Sequence, residues 1–192
     1  MAYETLSLDV ANGIAHVQFI RGAEFNTMNR AFWTEMVAVF AEIEQNPSAR
    51  VVVFSAQGKH FTSGLDLNGF GAGLMASEGE PSRKAEALRR TVLHMQESMS
   101  VLDRCRLPVL VAVQGACIGG GIDLISACDM RYCAEDAFFS IQETNIGMTA
   151  DVGTLQRLPH LLPHGIVREL TYTGRRMMAA EARDWGLVNQ IF

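Results

Sequence analysis

The chain has 192 residues, 48% hydrophobic and 19% charged, which is enough apolar material for one ordinary core and too little length for two complete catalytic domains. Sixteen Lys and Arg against twenty-one Asp and Glu leave a formal charge of −5, which repels a phosphate backbone and excludes nucleic acid as the expected partner. No stretch approaches the roughly 20 apolar residues of a membrane span, and the opening MAYETLSLDV is neither a secretory leader nor an Arg-rich one, so no membrane association and a cytoplasmic location are expected. An organellar address outside these residues is compatible with that expectation.

In chain order, Ile14 to Phe19 reads as a strand after a turn at Asn12 and Gly13. Asn29 is placed to cap a helix carrying Phe32, Met36, Val39 and Phe40 to about Glu44, and Arg50 to Phe54 reads as a buried strand. Gly69 to Glu80 is rich in Gly, Ala and Ser and is expected to be a mobile loop. After Ser82, the residues Ala85, Leu88, Val92, Met95, Met99 and Leu102 recur at steps of three and four, the mark of a helix with a core-facing stripe, ended by Leu107 and Pro108. VLVAVQG at 109 to 115 is a strand, followed by a glycine loop at 119 to 121 and a helix through IDLISAC. Short strands are expected at Met130 to Cys133 and Ala137 to Ser140, and helices at Thr154 to Leu162, Gly165 to Tyr172 and Ala179 to Trp185. The pattern is a single α/β domain over residues 1–192, with no inter-domain linker and no internal repeat.

Cys105, Cys117, Cys128 and Cys133 lie in apolar segments without C-x-x-C spacing and read as reduced packing residues. The histidines form no HExxH motif and Ser63 lacks a GxSxG elbow, so zinc and nucleophilic chemistry find little support. Three places remain where chemistry can sit. The glycines in GACIGGGID fit neither dinucleotide nor P-loop spacing, and they serve tight packing or backbone exposure at a helix start equally well. HFTSGLDLNGF follows a strand end, where α/β sheets bind ligands, although a polar turn capped by Asp66 explains it as well. Asp123, Glu143 and Asp151 stand among apolar or glycine neighbours that shift carboxyl pKa values when they cluster; taken singly, they also read as an arginine partner, a strand-end surface charge and a helix cap.

Taken together these segments resemble the crotonase, or enoyl-CoA hydratase/isomerase, superfamily. The matching stretches are FNTMN at 25 to 29, HFTSGLDL at 60 to 67, the long run from Leu107 to Glu143, GTLQRLP at 153 to 159 and the final MAAEARDWGLVNQIF, which together cover nearly the whole chain. The resemblance implies a spiral of ββα units with helices following. It implies an acyl-CoA thioester as substrate, with coenzyme A part of that substrate and no separate cofactor or metal. It assigns Ser63 and Gly120 as the backbone donors of an oxyanion hole, and Thr62, Ser63, Gly64, Leu65 and Asp66 to the acyl-CoA pocket.

The acids select the branch. Hydratases of this family carry glutamates at both positions matching Asp123 and Glu143, and glycine where this chain has Asp151. The trio Asp123, Glu143 and Asp151 is similar to that of the Δ3,5-Δ2,4-dienoyl-CoA isomerases, which implies an isomerase of unsaturated fatty acid degradation. Asp151 then removes the C2 proton, Glu143 delivers one at C6 and Asp123 supports the site. A hydratase and a non-catalytic acyl-CoA-binding homologue are the alternatives. Two departures stand out: Gly22 replaces the proline of an RPExxN-type segment, and the sequence ends at Phe192, where family members continue into helices that complete the pocket and assemble trimers or hexamers. The expectation is that chain continues beyond Phe192 and that the whole protein is such a homo-oligomer.

Overall fold

A computed structural model describes residues 3–68 and 80–192, so the loop expected at 69 to 80 lies almost wholly outside the described residues. Strands β1 (Leu6–Ala11) and β2 (Ile14–Phe19) form an antiparallel hairpin. Its turn places Asn12 and Gly13 at φ of 53° and 83°, the left-handed pair that a two-residue turn requires. β1 is absent from the expectations above, because its alternation in LSLDVA is short and polar-tipped. Helix α1 (Arg30–Gln45) starts where Asn29 accepts the Phe32 amide at 3.1 Å and buries the expected apolar face on the sheet.

Strand β3 (Val51–Ala56) pairs parallel to β2, and helix α2 (Pro81–Asp103) follows, starting on a proline one residue before Ser82. Next come β4 (Val109–Val113), β5 (Ala116–Ile118), α3 (Gly120–Ser126), β6 (Met130–Cys133) and β7 (Phe138–Ser140). The segment read as one helix from Thr154 to Leu162 is instead α4 (Thr154–Arg157) and a 3-10 turn over Leu158–His160. Pro159 in that turn has no N–H for an α-helical bond, which accounts for the break. Helix α5 (His164–Thr173), strand β8 (Met177–Met178), helix α6 (Ala179–Trp185) and strand β9 (Gln190–Ile191) end the described chain.

The first sheet has the order β1-β2-β3-β4-β6-β9, parallel from β2 onward, and the second has the order β5-β7-β8. A chain that leaves β3 enters the second layer at Thr62, bridged in parallel to Cys117 of β5, before reaching α2. A chain that leaves β4 does the same through β5 before α3, and one that leaves β6 does so through β7. This recurrent strand, strand, helix path is the spiral the resemblance implies. Its practical effect is to stack the exits of the second-layer strands side by side, so that residues 62 to 65, 118 to 120 and 141 to 143 meet at one edge.

The core between α1 and the first sheet centres on Phe19, Phe32, Phe54 and Phe61, each 0–1% exposed. Phe61 meets Phe19 edge to face with centroids 5.4 Å apart, so the loop that follows it is pinned to the core. Cys117, Cys128 and Cys133 are buried and Cys105 half-buried, all as free thiols. Only Met95, Met99 and Leu102 of the α2 stripe reach the core; Leu88 is 43% exposed and, with Val92, faces a cavity instead. Phe61→Ala is expected to lower the unfolding free energy by about 3–5 kcal/mol in urea titrations, and a loss under about 1 kcal/mol contradicts the anchoring role.

Candidate functional site

A cavity of about 430 Å³ opens where the second-layer strands end, under the N-terminal half of α2. One wall is apolar, from Leu88, Val92 and Met95 of α2 with Trp33 of α1, Ile146 and Met148. Ser63, Gly64, Leu65, Gly119 and Gly120 form a polar wall of backbone, and Asp123, Glu143 and Asp151 complete the lining as its floor. The structure therefore brings together the three acids and most of the expected pocket segment. Among the described residues, no group of three or more His, Cys, Asp and Glu side chains is arranged to hold a metal ion.

The glycines shape the polar wall. Gly64 adopts φ of +84°, and a Cβ there would lie 2.7 Å from the Ile118 carbonyl and 3.5 Å from the Gly120 nitrogen, so only glycine lets the two loops touch. A Cβ on Gly120 would meet Met28 Sδ at 2.7 Å, and one on Gly121 would meet Thr62 Cγ2 at the same distance. Of the two readings left open for these glycines, both hold: close packing presents the backbone to the cavity. Gly120 is the first residue of α3, so its N–H has no partner inside the helix, and it makes no hydrogen bond to another described residue.

Ser63 is the correction. Its amide, expected to be the second donor, is already committed to the Phe25 carbonyl at 3.0 Å. The neighbouring amides are also engaged, Gly64 to Thr62 Oγ1 at 3.0 Å and Asp66 to the Met28 carbonyl at 3.1 Å. The Leu65 amide between them makes no hydrogen bond among the described residues, and Leu65 lines the cavity. Thr62 and Asp66, expected in the pocket, do not line it. Thr62 is fully buried, donates through Oγ1 to the Asn26 carbonyl at 2.7 Å and thereby holds the loop. Asp66 accepts the Asn68 amide at 3.1 Å and lies 3.9 Å from the Arg21 guanidinium.

Asp123 is fully buried on α3 and has no arginine partner among the described residues; its Oδ1 accepts the Thr154 amide at 2.6 Å, while Oδ2 is buried without a partner among them. Burial pushes its pKa up to about 7, the Thr154 bond working against that rise and the nearby charges of Glu143 and Asp151 adding to it. Glu143 opens the 3-10 turn Glu143–Ile146, and its Oε1 lies 3.3 Å from where a Cβ of Gly119 would be. Its Oε2 is buried and unpartnered, and burial, then the Asp151 charge, raises its pKa. Asp151 is the most exposed of the three and is also raised by burial. The cap expected from Asp151 at the helix near Thr154 is not made by its side chain; Gly153 is the residue before α4.

The sequence profile of the enoyl-CoA hydratase/isomerase family matches residues 9–192. The chain belongs to this family. It is 46% identical over 99% of its length to the mitochondrial Delta(3,5)-Delta(2,4)-dienoyl-CoA isomerase of Rattus norvegicus and 41% identical over its full length to the peroxisomal enzyme of that name from Arabidopsis thaliana. It spans 59% of the rat protein and 70% of the plant one. Its crotonase fold superposes with a TM-score of 0.87 on a Thermobifida fusca enoyl-CoA hydratase-type protein solved in complex with acetoacetyl-CoA, at 30% identity over 97% of this chain and 73% of that one. Among the described residues no helix is long and apolar enough to cross a membrane.

Within this cavity, the raised Asp123 carboxyl makes stability depend on pH. Because its folded pKa of about 7 exceeds that of the unfolded chain, its contribution is fully present below the unfolded value and is lost as pH rises through 7. Urea midpoints of the native protein should fall between about pH 4.5 and 7.5 more steeply than those of Asp123→Asn, which keeps an oxygen for the Thr154 amide; parallel profiles contradict the buried-acid assignment.

Proposed function

We propose that the protein is an isomerase that converts 3,5-dienoyl-CoA to 2,4-dienoyl-CoA in the degradation of unsaturated fatty acids. The observation that carries this reading is the placement of three carboxyls and two unbonded amides on one cavity with an apolar wall. The names of the relatives at 41–46% identity support it.

In the proposed reaction the thioester oxygen lies between the amides of Leu65 and Gly120, in place of the Ser63 and Gly120 pair implied by resemblance. The carboxylate of Asp151 takes a proton from C2, and the electron pair left at C2 is shared between the adjoining thioester oxygen and, along the diene, C4 and C6. The amides hold that charge as it develops, which is where fixed donors lower a barrier most. The protonated carboxyl of Glu143 then gives its proton to C6, and the double bonds settle at C2 and C4. Differing environments suit the two roles: burial raises the pKa of both carboxyls, but Glu143 is the more buried, whereas Asp151 sits nearer solvent, with which it exchanges its proton between turnovers. Asp123, buried and raised, supports the site from below without reaching solvent.

Coenzyme A enters as part of the substrate and no separate cofactor is required in this scheme. The whole protein is proposed to assemble as a homotrimer or hexamer, for which the exposed Tyr172 and Trp185 supply apolar surface. A hydratase reading is favoured by similar solved proteins that are named enoyl-CoA hydratases, and would use Asp123 and Glu143 to hold water, leaving Asp151 idle.

Rates on 3,5-dienoyl-CoA and 2-enoyl-CoA separate the two. The isomerase reading expects diene transposition to dominate and Asp151→Asn and Glu143→Gln each to lower kcat by about 10²–10⁴-fold. Faster hydration of 2-enoyl-CoA, or near-normal isomerisation by either variant, overturns it.

A further inference from the structure

Asp151 sits on a segment with little backbone support of its own. Between Met148, whose amide reaches the Glu143 carbonyl, and Gly153, which accepts the amides of Gln156 and Arg157, residues 149 to 152 make no hydrogen bond to another backbone group among the described residues. Their buried anchors are the small side chains of Ala150 and Val152. A base that must meet a C2 proton within a few tenths of an ångström cannot be held by these alone.

Helix α2 supplies what is missing. Gln96, one residue after the cavity-lining Met95, donates from Nε2 to the Asp151 carbonyl at 2.8 Å. One residue on, the Val152 carbonyl accepts Arg157 Nη1 at 3.2 Å. The same guanidinium is fixed to α2 through Nε to Asp103 Oδ2 at 2.8 Å and Nη2 to Ser100 Oγ at 3.3 Å. It lies flat over Gly153, where a Cβ would fall 1.6 Å from Nη1, so glycine at 153 is required by this arrangement. Gln96, Ser100 and Asp103 follow one another at steps of four and three, one face of the helix.

We propose that Gln96 and Arg157 are positioning residues that clamp the carbonyls of residues 151 and 152 to α2 and so set the place of the Asp151 carboxyl in the cavity. The proposal rests on the isomerase reading for its catalytic consequence but not for the clamp itself. It adds a residue, Gln96, that touches neither substrate nor acid side chain and whose type and spacing mark it in the sequence only as the polar neighbour of a core stripe. An Arg at 157 paired with Asp103 alone would be a surface ion pair of small effect; bonded also to the Val152 carbonyl, it fixes geometry.

Gln96→Met keeps the volume and removes the donor, and Gln96→Glu keeps the shape but offers only acceptors. In the full-length protein both are expected to lower kcat on 3,5-dienoyl-CoA about tenfold with KM changed less than about twofold, since the loss is one of alignment. A second reading needs no turnover: in carbon-13 spectra of labelled aspartates, the Asp151 carboxyl should titrate lower in Gln96→Met than in the native protein, as the segment leaves the cavity for solvent. Melting temperatures test whether either variant is merely unstable. Unchanged kcat together with an unmoved Asp151 titration overturns the clamp, as does a rise in KM alone. If the native protein fails to turn over dienoyl-CoA, the isomerase reading falls, and the Asp151 titration decides the clamp by itself.

Discussion

The Thr154 amide and Asp123 Oδ1, 2.6 Å apart, link helix α3 to the segment that carries Asp151. Asp123 stands one turn into α3, the helix whose first amide, Gly120, faces the cavity; Thr154 begins α4, three residues after Asp151. The bond therefore couples the backbone that would hold the thioester oxygen to the segment that carries an acid. A carboxyl with no exposed surface would cost several kcal/mol if left ionised without partners. One oxygen is satisfied by the amide, and the rise of the pKa to about 7 allows the other to carry a proton instead of a bare charge.

The second dependence is steric. Three second-layer segments approach closely enough for Gly64 to contact the 118 to 120 turn, and side chains at 64, 120 or 121 would collide with neighbours. The polar wall is thus made of backbone, and the chemistry of the side chains is confined to the floor. Apolar residues of α2 and α1 in the same lining give that wall a low-dielectric setting, where fixed N–H dipoles act more strongly on charge than in water.

Much of this was legible in the residues and some could not be. Strong periodicity announced α1, and α2 to within a residue or two at its start, and the β-branched run announced β3. Two-residue strands such as β8 and β9 are defined by pairing across the sheet and leave no local pattern. The α2 stripe was visible, but period alone does not tell core from cavity: Leu88 and Val92 obey the same rule as Met99 and line a different space. The three acids were found because carboxyls in apolar surroundings demand a reason. That the Leu65 amide, and not that of Ser63, is left unbonded was not legible, since every residue from 63 to 66 has the same N–H. Which one is left unbonded depends on the φ of +84° at Gly64 and on carbonyls supplied by residues 25 and 28, far away in sequence. Gln96 escaped for a similar reason: its partner is a carbonyl, which every residue has.

The central claim is that backbone donors at 65 and 120, with acids beneath them, receive a thioester. A crystal structure of the full-length protein with a non-reactive dienoyl-CoA analogue tests it most directly. The account expects the thioester oxygen within about 2.7–3.1 Å of both the Leu65 and Gly120 nitrogens, with C2 beside Asp151 and C6 beside Glu143. An oxygen bonded to the Ser63 amide, or an acyl chain lying outside the cavity, would contradict it.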